Sequence, residues 1–529
     1  MAGPAPLVAI VAHARAGALD QAWRLFRAAG LESVADNAAV LSVKGRLLKD
    51  QGRLATGDER RRLYGEAAEA YGQAGAIDWA TYPLINAATL SLLAGEPERS
   101  TALAGRVLAR IDSGEDAEPD TPYWRTATRA EAMLLLGKTH EAWLALQAAM
   151  ALAPRAWEDH ASTLRQFALI LEARGEDAVW LDPFRPPRSL HYSGHLSVGE
   201  DDQALKAGIL EILKTEQVGF GYGALAAGAD IMIAEALLEQ GAELHLVLPV
   251  GRQAFRAASV EPFGGDWAAR FDAILDQAET VTAVGDPQSP LDIPTLELAA
   301  LSAMGRAVAQ ARLLASHALQ LSVLDSAGDG EARGGTAWSQ RHWRSSGLRD
   351  LTIDSPRAAA PPPAASLARD ETRMLQAVMA LGPGDHEEGH LARAWIPGLL
   401  DALTAAGIVL QAPPVWTAQC LILALADPVQ AAKAARTLAA LQQNGRTAID
   451  FGVVRNQPML MGRPLERVQR LLASVPMGAI CVTADFAMAL NAGPDSADWP
   501  CEPIGEMPPA ELAPHDDETD PAIFGLRLG

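Results

Sequence analysis

Residues 218–250 read VGFGYGALAAGADIMIAEALLEQGAELHLVLPV. A short apolar run ends in closely spaced glycines, a helical stretch follows from Gly228 to Gly241, and an uncharged run from Leu244 to Val250 closes the unit. The pattern predicts a strand, a glycine-rich turn, a helix and a second strand. A βαβ unit of this kind brings backbone N–H groups and a helix N-terminus to one point in space, a geometry that suits phosphate or another anion. An ordinary structural crossover, whose glycines only permit close packing, would be written in the same letters.

The alternation continues on both sides. After the Pro-rich hinge LDPFRPPRS, residues Leu190 to Ser193 read as a strand and Asp202 to Lys214 as a helix. Beyond Val250 follow helices at Arg252 to Ala258 and within FGGDWAARFDAILDQA, a strand at Thr280 to Val284, and a long helix from Thr295 to Ser316. A strand at Leu319 to Leu324, a helix at Ala337 to Ser345 and a strand at Leu351 to Ile353 complete the series. Strands alternating with helices predict a parallel sheet covered on both faces, spanning residues 183–356. Ligands of such sheets collect at the strand C-termini. The residues expected there are Ser193, Gly194 and His195; Gly221, Tyr222 and Gly223; Gly228, Ala229 and Asp230 at the next helix start; Pro249; Asp325; and Gly334, Gly335 and Thr336 at the last helix entrance. Several have a second reading. His195 at a strand end serves equally as a structural hydrogen-bonder, Asp230 in a first helical turn stabilises the helix dipole without a ligand, and Trp338 and Trp343 on one helix suit core packing.

Composition bounds the rest. The chain has 529 residues, of which 49% are hydrophobic and 21% charged, so three or four domains of about 150 residues each are expected. Its 44 Lys and Arg against 65 Asp and Glu give a formal charge of −21, which repels nucleic acid in the absence of a local basic patch. Cys420, Cys481 and Cys501 form neither a disulfide framework nor a zinc spacing. No signal peptide and no membrane span is expected, and a reducing cytoplasm fits the cysteine usage. No metal site and no required cofactor is predicted.

From Leu7 to about Gly175 one helical pattern recurs, clearest in RAEAMLLLGKTHEAWLALQAAMALAP with Ala130, Gly137, Ala142, Leu146, Ala149 and Pro154 in register. Other copies carry Gly17, Ala22, Phe26 and Ala29; Gly45 and Gly52, then, after an insertion containing GDERRR, Ala67, Tyr71 and Ala74; and Ala88, Gly95, Ser100, Ala104 and Val107. Ala168 and Gly175 mark a half-repeat. Small residues at helix crossings let successive pairs stack into a solenoid. The segment resembles the tetratricopeptide repeat (TPR) family over residues 1–180, which implies a surface for a protein or peptide partner.

The stretch 183–356 resembles the SLOG superfamily of Rossmann-like domains, which includes the phosphoribohydrolases called lysine-decarboxylase-like and DprA. GALAAGAD and GGTAW carry the likeness, which implies a nucleotide or nucleotide-derived ligand. The hydrolases have a PGGxGTxxE motif; Gly335 and Thr336 match its Gly-Thr, but Ser339 stands where the Glu belongs. A hydroxyl cannot replace a carboxylate in activating water or stabilising an oxocarbenium-like transition state, so the resemblance implies binding without catalysis. The alternative is N-glycosidic cleavage by another acid, Asp230 or Glu235.

A Pro/Ala linker, 357–370, precedes residues 371–529, where strands at 374–381, 419–425, 447–454, 479–483 and 523–528 alternate with helices at 391–404, 428–443, 465–473 and 484–491. The stretches QCLILALADPVQAAKAARTLAALQ, RTAIDFGVVRNQPMLMGRPLERVQRLLA and GAICVTADFAMAL resemble the class III nucleotide cyclase domain. The two metal-binding carboxylates of that family align with Ala380 and Ala418; its transition-state Asn aligns with Glu466, and its Arg is kept as Arg470. Asp385 is a poor substitute in position. The resemblance implies an inactive cyclase-like domain used for homodimerisation or regulation. The expected whole is an all-α TPR solenoid, an α/β Rossmann-like domain and an α+β cyclase-like sandwich, acting as a signalling protein that binds a nucleotide-like molecule; a pure interaction scaffold is the remaining alternative.

Overall fold

The computed structural model describes residues 4–15, 19–114, 121–199, 202–284, 289–326, 333–358, 367–368, 370–382, 392–417, 420–441, 445–456, 459–507 and 520–528. Three architectures follow one another: an all-α repeat region, a parallel sheet flanked by helices, and a mixed α+β sheet. The chain forms two compact units, Met1–Pro186 with Leu313–Ser316, and Pro187–Arg312 with His317–Gly529. The second unit holds both sheets.

In the first unit, helices α1 (Pro4–Arg15), α2 (Leu19–Ala28), α3 (Ala38–Leu54), α4 (Gly57–Ile77), α5 (Thr81–Leu93), α6 (Pro97–Ser113), α7 (Pro122–Leu135) and α8 (Thr139–Leu152) each pack on the next, and α9 (Trp157–Arg174) packs on α7 and α5. The small residues of the repeat register lie at the crossings: Ala67, Ala74, Ala88, Ala104, Ala130, Ala142 and Ala149 are fully buried. A Cβ on Gly45 would come within 2.7 Å of the Tyr71 ring, so the α3–α4 crossing needs a residue without one. GDERRR is not an insertion outside the helices but the first turns of α4, where Arg62 pairs with Glu59 at 2.7 Å on the exposed surface. Helix-compatible charges spaced three and four apart extend the helix instead of interrupting it.

The second unit opens with β1 (Arg188–Gly194), α10 (Gln203–Thr215), β2 (Val218–Gly223), α11 (Ala229–Glu239), β3 (Glu243–Leu248), α12 (Arg252–Ser259), α13 (Trp267–Leu275), β4 (Thr280–Ala283), α14 (Ile293–Leu313), β5 (Ala318–Leu324), α15 (Thr336–Ser345) and β6 (Arg349–Asp354). Six strands form one sheet in the order β4-β3-β2-β1-β5-β6, every pair parallel. The chain leaves β1 towards β2 but leaves β5 towards β6. The C-terminal ends of the neighbours β1 and β5 are therefore the switch point, where a crevice opens.

The remainder comprises β7 (Arg373–Gly382), α16 (Ala392–Ala405), β8 (Val415–Trp416), β9 (Leu421–Leu425), α17 (Pro428–Leu441), β10 (Arg446–Arg455), α18 (Arg463–Ser474), β11 (Ile480–Thr483), α19 (Ala484–Asn491), β12 (Cys501–Glu506) and β13 (Ala522–Leu526). The seven strands run β12-β13-β11-β10-β7-β9-β8, mixed in direction. The short edge strands β8 and β12 lack a hydrophobic period and were not predicted. No helix of the described residues is long and apolar enough to cross a membrane.

Helix α14 touches both sheets' surroundings. A Cβ on its Gly305 would lie 1.9 Å from the Met488 carbonyl oxygen of α19, Arg306 pairs with Asp520 at 2.6 Å, and Arg312 donates to Asn491 Oδ1 at 3.0 Å. Buried Asp292, beside its start, pairs with Arg373 of β7 at 2.5 Å.

Candidate functional site

A cavity of about 470 Å³ opens at the C-terminal ends of β1, β2 and β3. Its polar wall includes His191, Ser193, His195 and the α15 entrance; its apolar wall includes Phe255 and the α14 residues Ala299, Ala300 and Ala303. Of the residues expected from sequence, the fold brings Ser193, Gly194, His195, Asp230, Pro249, Gly334, Gly335 and Thr336 to this cavity. Gly221, Tyr222, Gly223, Gly228, Ala229 and Asp325 are not among its lining.

The physical reason lies in what each of the latter touches. A Cβ on Gly221 would meet Leu237 of α11 at 2.3 Å, and one on Gly223 would meet the Tyr192 ring at 2.6 Å. Both glycines let strand and neighbours pack. Tyr222 stacks on His245, ring centroids 4.7 Å apart. Gly228 has φ 89° and lies so close to the β1 exit that a Cβ would sit 2.6 Å from the Leu196 carbonyl oxygen. Ala229 fills the space over Gly194, where a Cβ would fall 2.3 Å from its own. The Asp325 carboxylate accepts from the Arg357 N–H at 3.1 Å.

The two glycine-marked helix entrances differ in kind. At α11, buried Asp230 accepts from the Gly194 N–H at 2.8 Å and from the Ala226 N–H at 3.3 Å. The Ala227 N–H donates to Ser259 O at 3.0 Å and the Ala229 N–H to His195 O at 3.3 Å. The Ala226, Ala227 and Ala229 N–H groups of this turn are thus used within the protein. Burial pushes the Asp230 carboxyl up to about 7, against the two N–H groups that favour its charged form. His195 is also a structural node, its Nε2 lying 2.8 Å from Ser355 O.

At α15 the turn is open. Gly335 occupies the N-cap position and has no side chain to cap the helix, and among the described residues no backbone acceptor takes the Thr336 or Ala337 N–H; Gly334, Gly335, Thr336 and Ala337 line the cavity. Gly334 holds φ 74°, with Leu296 of α14 3.3 Å from where its Cβ would be. Ser339, one turn in, is buried and accepts from Gln320 Nε2 at 3.2 Å. Arg333 lines the mouth and pairs with buried Glu297 at 2.7 Å. First-turn N–H groups without a cap are the standard anion site of a helix.

Sequence reasoning missed His191, which lines the cavity, is 2% exposed and stacks on Trp343 with centroids 5.8 Å apart. Burial pushes its imidazole down to about 3. The one legible signal was a histidine inside an otherwise strand-like run. It also missed the apolar wall of α14, because a buried helix shows no preferred face in sequence.

In the seven-stranded region, Ala380 is fully buried in β7, opposite Ala448 of β10 and Ile422 of β9. Ala418 and Asp385 lie outside the described residues. Glu466 is in the first turn of α18, and Arg470 points its guanidinium at the Met507 sulfur at 2.9 Å. The charge chemistry sits elsewhere: buried Arg467 meets Asp485 at 2.6 Å and Asp450 at 3.4 Å. Thr483 donates to Asp450, whose carboxyl burial pushes up from its ordinary value. Among the described residues no group of three or more His, Cys, Asp or Glu side chains is placed to hold a metal ion.

Comparison with known proteins places part of this on record. The family described as Tetratricopeptide Repeats-Sensor matches residues 8–91. No curated protein matches the chain. Among solved structures, the guanylate cyclase domain of RhGC from Catenaria anguillulae, in complex with GTP, is 10% identical over 29% of this chain and 96% of that one, with a TM-score of 0.22. The guanylyl cyclase domain of the RhoGC fusion protein from Blastocladiella emersonii is 9% identical over 29% and 94%, TM-score 0.22. A putative kinesin light chain with TPR-like repeats from Podosopora anserina is 15% identical over 34% and 91%, TM-score 0.24. At these identities and scores the likeness carries no residue role to this chain.

Proposed function

We propose that the chain is a ligand-responsive adaptor. A small phosphorylated, nucleotide-like molecule binds in the cavity of the six-stranded sheet, and the helical repeats engage a protein or peptide partner. The observation that carries this reading is the uncapped α15 entrance, which lines a cavity of about 470 Å³ at the switch point of a parallel sheet. A volume of that order suits a mononucleotide-sized ligand. Phosphate would take the first-turn N–H groups of α15, and the Ala-rich face of α14 would lie against a planar ring.

The same helix offers a route outward. Its residues Ala299, Ala300 and Ala303 line the cavity while Gly305, Arg306 and Arg312 contact the seven-stranded region. A ligand that favours one position of α14 would bias that contact. The cyclase-like region then serves regulation or dimerisation rather than catalysis.

Hydrolysis of an N-glycosidic bond draws less support. Asp230 accepts two backbone N–H groups, and Glu235 is held by Arg270 at 2.7 and 2.6 Å, away from the cavity lining. Calorimetry and thermal-shift measurements on the full chain with mononucleotides, NAD, ADP-ribose and cyclic dinucleotides test the proposal. Binding of at least one is expected; a folded protein that binds none refutes it.

A further inference from the structure

One face of the six-stranded sheet is polar where parallel sheets are ordinarily apolar on both sides. Through the strand register, Thr280, His245, Tyr222, His191, Gln320 and Asp350 form one row crossing all six strands. Along β1 and β5 the same face carries Ser189, Ser193 and Ser322. Among the described residues, Ser189 Oγ, His191 Nδ1, Ser193 Oγ, Gln320 Oε1 and Ser322 Oγ are buried without a hydrogen-bond partner. Each such atom costs about 1–3 kcal/mol, and so many on two adjacent strands call for a cause.

His191 and Ser193 are the two of these that line the cavity. Trp343 stacks on the His191 ring and fixes its plane, so the ring cannot turn to find a protein partner. Because burial holds the imidazole neutral, it offers one donor and one acceptor. The Ser193 hydroxyl offers the same pair of roles. Each group presents an acceptor beside its donor, which suits a neutral edge, whereas the donor-only first-turn N–H groups of α15 suit an anion.

We propose that His191 and Ser193 read a neutral edge of the ligand on which a hydrogen-bond donor stands beside an acceptor, and thereby determine which ligand the cavity accepts. This rests on the reading of the cavity as a nucleotide-type site. Two sources present that chemistry, the edge of a nucleobase and the vicinal diol of a ribose. The opposite wall of Phe255, Ala299, Ala300 and Ala303 is suited to the faces of a planar ring.

The test is calorimetry of the full chain with AMP, GMP and ribose 5-phosphate, on the native protein, His191→Phe and Ser193→Ala. Phe keeps the stacking on Trp343 and removes both nitrogens; Ala removes only the hydroxyl. Loss of about tenfold or more in nucleotide affinity with ribose 5-phosphate unchanged assigns the nucleobase edge. An equal loss for all three probes assigns the diol. Both variants should also keep or raise the melting temperature, because an unpartnered buried polar atom is removed. If the native chain binds a nucleotide and both variants bind it equally well, this inference falls while the binding site stands. If the native chain, folded, binds none of these probes and none of NAD, ADP-ribose and the cyclic dinucleotides, both fall. A melting temperature lowered by more than about 5 °C in Ser193→Ala would reveal a structural role and overturn the assignment for that residue.

Discussion

Two helix entrances in the six-stranded region are written alike, small residues around glycine, yet α11 and α15 use the N–H groups of their turns differently. At α11 the chain supplies its own anion: Asp230 takes the Gly194 and Ala226 N–H groups, and the Ala229 N–H goes to His195 O. At α15 the N-cap is a glycine with no capping side chain, no acceptor among the described residues takes the Thr336 or Ala337 N–H, and Gly334 and Gly335 line a cavity. A glycine-rich turn thus marks an anion site only where its N–H groups are left without an internal acceptor. The first turn is a joint between strands; the second is the candidate site.

Replacement of Gly228 should show how tightly that joint is built. Val at φ 89°, with its Cβ 2.6 Å from the Leu196 carbonyl oxygen, is expected to lower unfolding free energy by about 3 kcal/mol. Denaturant titration checks this, and a loss below about 1 kcal/mol would mean the turn is not the rigid joint described.

Asp230 gives the comparison a pH signature. Its folded value of about 7 lies above the ordinary carboxylate value of 3.8. The stability it contributes is therefore fully present below about pH 4 and is lost as pH rises through 7. Asp230→Asn should gain about 2 kcal/mol on the native protein between pH 5 and pH 8, read from parallel denaturation curves. A constant difference across that window would show that the carboxylate is not the buried acceptor of the α11 entrance.

The smallest effect falls on α15. Proline is tolerated at the first position of a helix and only removes an N–H, and extended Gly335 (φ −93°, ψ 177°) suits the residue before it. Thr336→Pro should leave stability within about 0.5 kcal/mol and weaken a phosphorylated probe about tenfold, near 1.4 kcal/mol. Unchanged affinity in a calorimetric titration would remove the α15 entrance from the site.

Burial of charge marks a second contrast. In the seven-stranded region Arg467 joins Asp450 and Asp485 in a buried cluster, whereas His191 Nδ1 and Ser193 Oγ are buried without a partner, among the described residues, on residues that line a cavity. Letters alone gave no warning of either. His191 and Asp450 each sit inside a strand-like run, and whether such a group is paired depends on a helix far away in sequence: Trp343 for one, Arg467 for the other. Gly221 and Gly223 meet a related limit, because in sequence a glycine that makes room for Leu237 or Tyr192 is indistinguishable from one that makes room for a ligand.

Periodicity and punctuation determined the order of elements: the stacked helical repeats, the strand–helix alternation of 188–354, and the strands of 373–526 apart from short β8 and β12. These are local properties, set by which face of each element must leave water and by where glycine or proline interrupts it. The strand order that makes β1 and β5 neighbours, the internal acceptors around the α11 turn, the open entrance of α15 and the shared wall of α14 were decided only by tertiary structure. Each depends on contacts between residues tens to hundreds of positions apart, such as Gly194 with Asp230 and Gly305 with Met488, and no local pattern encodes which donor meets which acceptor.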